Sequence, residues 1–146
     1  MEPPAKKRKG NEIPYAFVAL PKAVLQSVEY QGLSSSAKAL LVELASQYTG
    51  GNNGRLTPAW SVLQKTGWGS NNTVLSAKKE LLNCSFVVMT RKGHPPRTCE
   101  WIGFTWWKID WSKDMDIQAR EFPYLNFLSI KSQSIDPNVG RKKHNV

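Results

Sequence analysis

Cysteine and histidine are nearly missing, with two of each in 146 residues. Cys84 and Cys99 both sit in apolar or strand-like sequence, which suits two buried free thiols in a reducing compartment rather than a disulfide framework. Without a Cys-x-x-Cys pair or further ligands near either, a structural zinc is not expected. His94 stands beside prolines and His144 near the end of the chain, neither close to a plausible serine or cysteine nucleophile. No glycine-rich loop ending in Lys-Ser/Thr is there to cradle phosphates, and Asp114-Met115-Asp116 lacks the glycine and distal glutamate of a calcium loop. The expectation is a protein that is not an enzyme and uses no metal or cofactor. Long apolar runs are missing too: none approaches the ~20 residues needed to cross a bilayer. Residues 1–9 carry charges with no apolar block behind them, so they do not read as a secretory leader, and a cytoplasmic protein is expected.

Positive charge is plentiful, and it is unevenly placed. The formal charge is +9. Residues 1–10 and 137–146 contribute +3 each, and residues 58–97 contribute +5 through Lys65, Lys78, Lys79, Arg91, Lys92 and Arg97 against Glu80. The rest of the chain sums to −2. A 40-residue basic block on a slightly acidic scaffold is the footprint of a polyanion-binding face.

The length suits one domain. Residues 1–13 and 137–146 are too polar and basic to offset their ordering entropy and are expected to be a disordered arm and tail. Pro21 can open a helix to about Val28. A stronger helix is expected over 35–48, capped by Ser34 or Ser35, with Ala37, Leu40, Leu41, Leu44, Ala45 and Tyr48 on one stripe. Three glycines and two asparagines make 49–54 a loop. Thr57-Pro58 reads as a cap and first turn of a short helix that Gly67 ends. Ser70 then caps a third helix to about Asn83, and the two short-linked helices have helix-turn-helix spacing.

At ~100° per residue the third helix places Val74, Leu75, Ala77, Leu81 and Leu82 on one face. Asn72, Ser76, Lys79, Glu80 and Asn83 fall on the other, with Asn71 and Thr73 at the N-terminal edge. Asparagine can pair bidentately with adenine, serine and threonine serve base or phosphate, and lysine reaches phosphate or guanine. The competing reading is a solvated surface helix. Next, β-formers at 86–91 and 97–108 predict two strands, joined by Gly93-His94-Pro95-Pro96, since two prolines cannot sit inside a ladder. Arg91, Lys92 and Arg97 crowd this tip, either as a basic wing or as charges guarding an edge ribbon. Trp101, Trp106, Trp107 and Trp111 could stack unpaired bases, but filling a core is the favoured role, as it is for Trp60 and Trp68. Residues 112–136, with Phe122, Tyr124, Leu125, Phe127, Leu128 and Ile130, either return to the body or dock on a partner.

The block from Ser70 through Leu82 resembles the recognition helix of the winged helix-turn-helix superfamily, and 86–91 resembles its first wing strand. The series Leu33-Ser34, Ala37 to Leu41, Gln47-Tyr48, Asn52 to Gly54, Gly67-Trp68 and Thr105-Trp106 is similar to small helix-turn-helix proteins of phages, plasmids and integrated elements. The likeness spans about 14–110, and Lys78 departs from it by standing where the family usually has leucine. It implies an α+β winged-helix domain over 14–111 that binds double-stranded DNA. Ser70, Asn71, Asn72, Thr73, Ser76 and Lys79 would then face the major groove, with Arg91, Lys92 and Arg97 on phosphate or minor groove. Lys6, Lys7, Arg8 and Lys9 look like a nuclear import signal, but in a bacterial-element protein they read as a DNA-gripping arm. The implied role is a nucleoid-associated regulator of transcription or replication, with a homodimer expected on a palindromic target. The alternative is a winged helix that docks on a host protein or nucleoprotein complex, as an element-encoded inhibitor would.

Overall fold

The computed structural model describes residues 13–125, and the basic clusters at 6–9 and 141–143 lie outside them. Among the described residues the architecture is α+β, with five α-helices and a two-stranded antiparallel hairpin. Helix α1 is Lys22–Leu25, α2 Val28–Gln31, α3 Ser35–Ser46, α4 Trp60–Leu63 and α5 Asn71–Leu82; β1 is Val87–Arg91 and β2 Trp101–Phe104.

The helix predicted over 21–28 is two helices instead. Ser27 is buried, donates its hydroxyl to Val24 O (2.6 Å) and accepts from Tyr30 N (3.2 Å), so one side chain closes α1 and caps α2. Ser34 caps α3 by accepting from Ala37 N at 3.1 Å. Ala37, Leu40, Leu41, Leu44 and Ala45 are buried as their spacing requires. Helix α4 starts at Trp60 rather than at Pro58. The side chain of Gln47 grips the backbone of Thr57 from both sides, Nε2 to O at 2.9 Å and N to Oε1 at 2.8 Å, and holds 57–59 out of the helix. The Thr57 hydroxyl accepts from Ala59 N (3.2 Å), and Pro58 is buried.

Helices α3 and α5 pack on each other and on the hairpin, and the core between them centres on Leu40, Leu41, Leu44, Leu81, Phe86 and Phe104. Pairing runs Val87 with Phe104, Val88 with Gly103 and Met89 with Ile102, then slips so that Arg91 faces Trp101. The slip is a bulge at Thr90, which turns inward and donates its hydroxyl to Gly54 O. On the other edge of β2, Leu56 exchanges both backbone bonds with Ile102 (3.1 and 2.7 Å). Strand β2 is much shorter than the predicted 97–108. Thr105 makes a last backbone bond to Phe86 O (2.9 Å) and donates its hydroxyl to Ser85 O (2.9 Å), after which Asn53 gathers the carbonyls of Phe104, Trp107 and Lys108.

The tryptophans divide. Trp106 is buried and stacks on Phe104 at 4.4 Å, Trp107 stacks on Tyr48 at 3.7 Å, and Trp60 and Trp68 pack against the core, whereas Trp111 is exposed. Of the two cysteines expected to be buried, Cys84 is half-buried and Cys99 is exposed, because β2 begins only at Trp101 and leaves Cys99 in the hairpin loop. Residues 112–125 lie on the body: Met115 and Phe122 are buried, and Asp116 N donates to Thr90 O (2.8 Å). Among the described residues no helix is long and apolar enough to cross a membrane.

Candidate nucleic-acid interface

Helix α5 starts where Ser70 accepts a hydrogen bond from Thr73 N (3.4 Å), after Gly67 has turned the chain with φ of +99°. Val74, Ala77 and Leu81 are buried against the body. Diametrically opposite, at spacings of four, three and four residues, Asn72, Ser76, Lys79 and Asn83 form an exposed ridge. None of 112–125 covers it; that segment sits against Gly54, Thr90 and Thr105 on the other side of the hairpin.

The two flanks of the ridge differ. On one, Thr73 borders a shallow groove with Trp68 and the start of α3, and Glu80 reaches across 46 residues to accept from Ser34 Oγ (2.6 Å) and Ser34 N (2.9 Å). Those two bonds, the hydroxyl first, hold the Glu80 carboxyl below the usual glutamate range. Glu80 therefore braces α5 to the N-terminus of α3 instead of standing on the groove face where its helical angle had placed it. On the other flank, Asn71, Leu75 and Lys78 face the hairpin across a cleft of about 470 Å³ whose far wall includes Pro95, Pro96 and Cys99. Leu75, predicted to be core, is 46% exposed here because the hairpin tip stands off from the helix. Lys78 closes the cleft with an ion pair to Glu100 at 3.1 Å. Its stem lies along the body and its ammonium finds a carboxylate, so a lysine is accommodated at an inward helical position where an apolar residue was expected.

The hairpin's own cations have separate duties. The Arg91 guanidinium lies 3.4 Å over the Trp101 ring and donates from Nε and Nη2 to Cys99 O at 3.0 and 2.7 Å. It shapes the loop. Lys92 and Arg97 are exposed, and Lys92 N donates to Asp116 Oδ2 at 2.7 Å. At the tip His94 bridges Thr98, with Arg97 N turned back to His94 O (2.9 Å).

Of the residues singled out from sequence, Asn72, Thr73, Ser76 and Lys79 are exposed along α5, Asn71 lines the cleft, and Ser70 spends its hydroxyl on the helix cap. Lys92 and Arg97 flank the hairpin tip and are exposed but do not line the cleft, while Lys6, Lys7, Arg8 and Lys9 lie outside the described residues. Sequence reasoning missed Glu100 and the brace from Glu80. A lysine at an inward helical position was the one available signal of a partly buried carboxylate nearby. Among the described residues no cluster of His, Cys, Asp and Glu could hold a metal ion. Burial, then the carboxylates of Glu29 and Glu80, push the Cys84 thiol up to about 11, which keeps it protonated and unreactive. The chain matches no known protein family, no curated protein and no solved structure.

Proposed function

We propose that the protein binds double-stranded DNA as a winged helix, with α5 in the major groove and the 92–97 tip on the flanking backbone. The observation that carries this reading is the uncovered Asn72-Ser76-Lys79-Asn83 ridge beside a hairpin held to the same helix by Lys78 and Glu100. Amides and a hydroxyl at these positions offer base-edge partners, and the exposed Lys79, Lys92 and Arg97 offer phosphate partners. The role that fits is regulation of transcription or replication in a bacterial mobile element.

Phosphate contacts set the salt dependence, with log K falling by ~0.9 per log unit of salt for each contact. The variant Lys79→Ala/Lys92→Ala/Arg97→Ala removes three such contacts and should make the slope shallower by about 2.7, whatever the two termini add. Fluorescence anisotropy of the full chain on random duplex between 50 and 200 mM salt reads this directly. An unchanged slope and affinity would place duplex binding elsewhere. That result would favour the second reading, a protein-docking module, which draws on the apolar Leu75 standing exposed in the cleft beside Trp60 and two prolines.

A further inference from the structure

The strongest unpartnered feature lies away from α5 and the hairpin. Residues 13–20 precede α1 with neither helix nor strand, and no charge occurs from Ile13 through Pro21 in a chain of net charge +9. Tyr15 is 78% exposed, Phe17 68% and Ile13 60%. Among the described residues, no hydrogen bond joins the backbone of 13–20 to the rest of the body. An open run of unpaired N–H and C=O groups bearing large apolar side chains is a template for pairing with another strand. Next to it is a depression of about 630 Å³ lined by Phe17, Val18, Tyr48, Trp107 and the small residues Ala45 and Gly50. A projecting segment and a hollow thus belong to one continuous surface.

We propose that this surface is a homodimer interface: residues 15–19 of two copies pair antiparallel about a two-fold axis, and Tyr15 of each copy enters the other's hollow beside Tyr48 and Trp107. Two observations select a second copy over other occupants. An isologous interface requires one patch to carry both the knob and the hole, and this patch does. Copies of a strongly basic chain repel wherever their charges meet, and neither the segment nor the hollow contains a charged residue. Tyr15 and Phe17, 78% and 68% exposed, supply roughly 300 Å² per copy, a share of the ~800 Å² per partner of a standard interface that the backbone of 15–19, Val18 and the walls of the hollow would have to complete. None of these residues lies on α5 or at the hairpin tip, so the dimer leaves both available and carries two copies of the ridge.

Sedimentation equilibrium of the full chain without DNA tests this independently of duplex binding. The wild type should be dimeric at tens of micromolar. Tyr15→Ser/Phe17→Ser should be monomeric at the same concentration, with an unchanged circular dichroism spectrum and Tm. In a Cys99→Ser background, Ala16→Cys/Val18→Cys, whose side chains stand opposite one another across the two-fold axis, should form a disulfide-linked dimer under mild oxidation, whereas Lys65→Cys, outside the patch, should not. A monomeric wild type, as would follow if the chain's own residues 126–146 occupied the hollow, overturns the proposal. So does a dimer indifferent to both serines.

Discussion

Asn53 offers the sharpest test of how the hairpin is held. Its side chain is fully buried; Nδ2 donates to Phe104 O at 2.9 Å, with Trp107 O and Lys108 O at 3.1 and 3.2 Å, and Oδ1 accepts from Phe104 N at 2.9 Å. Replacing it in Asn53→Ala leaves the Phe104 N–H and C=O without partners in a buried setting, while water can reach the carbonyls of Trp107 and Lys108. Each orphaned buried group costs ~1–3 kcal/mol, so two of them give a loss of about 3 kcal/mol. With an unfolding entropy of ~2.1 cal/mol/K per residue, the 113 described residues have roughly 0.24 kcal/mol/K, and the Tm should fall by about 13 °C. Asn52→Ala is the matched control. Asn52 is half-buried and makes local bonds to Thr49 N and Gln47 O, whose loss water can make good, so it should cost about 1 kcal/mol or less. Urea titration followed by tryptophan fluorescence measures both. If Asn53→Ala falls no further than Asn52→Ala, the Phe104 backbone is hydrated and the turn after β2 is held by aromatic stacking instead.

Arg91→Lys keeps the charge but loses the flat stack on Trp101 and the two-pronged grip on Cys99 O. It should destabilise the hairpin by about 1 kcal/mol, seen as faster amide exchange in β2, while the salt slope of the proposed duplex binding stays as in wild type. An altered slope with unchanged exchange would mean that Arg91 is a phosphate ligand after all. Glu80→Gln tests the brace between α5 and α3. A carboxyl held below its ordinary value of 4.5 stabilises the fold above that pH and loses the effect as the pH falls through its lowered value. The stability gap between wild type and Glu80→Gln should therefore be present at pH 7 and narrow as the pH falls below 4.5, and a gap that does not change with falling pH would show that the ionised carboxylate is not its source.

What the sequence revealed and what it hid separate by the range of the interactions involved. Helix α5 was legible almost to the residue because its limits are set locally, by the Ser70 hydroxyl, the left-handed Gly67 and the period of Val74, Ala77 and Leu81. The hairpin tip was legible because prolines cannot join a ladder. The start of α4 was not, since Gln47, ten residues earlier, decides whether Thr57 can enter a helix. Leu75 was misassigned for a similar reason: helical angle orders residues around a helix but does not say where a neighbouring hairpin stops short.

Charge shows the same limit where it matters most for function. The basic block at 58–97 has six cations, and a count treats them alike. In the folded chain Lys78 is neutralised by Glu100, and Arg91 is fixed to Cys99 O and Trp101. Those two position the hairpin against α5 and have little left to offer a ligand. Lys65, Lys79, Lys92 and Arg97 remain exposed, and among the described residues they form no ion pair. The block therefore does two jobs, building the shape with two of its cations and presenting the field with four. A salt slope measured on variants of Lys78 and Arg91 should accordingly move far less than one measured on Lys79, Lys92 and Arg97, although all five residues lie in the same basic stretch of sequence.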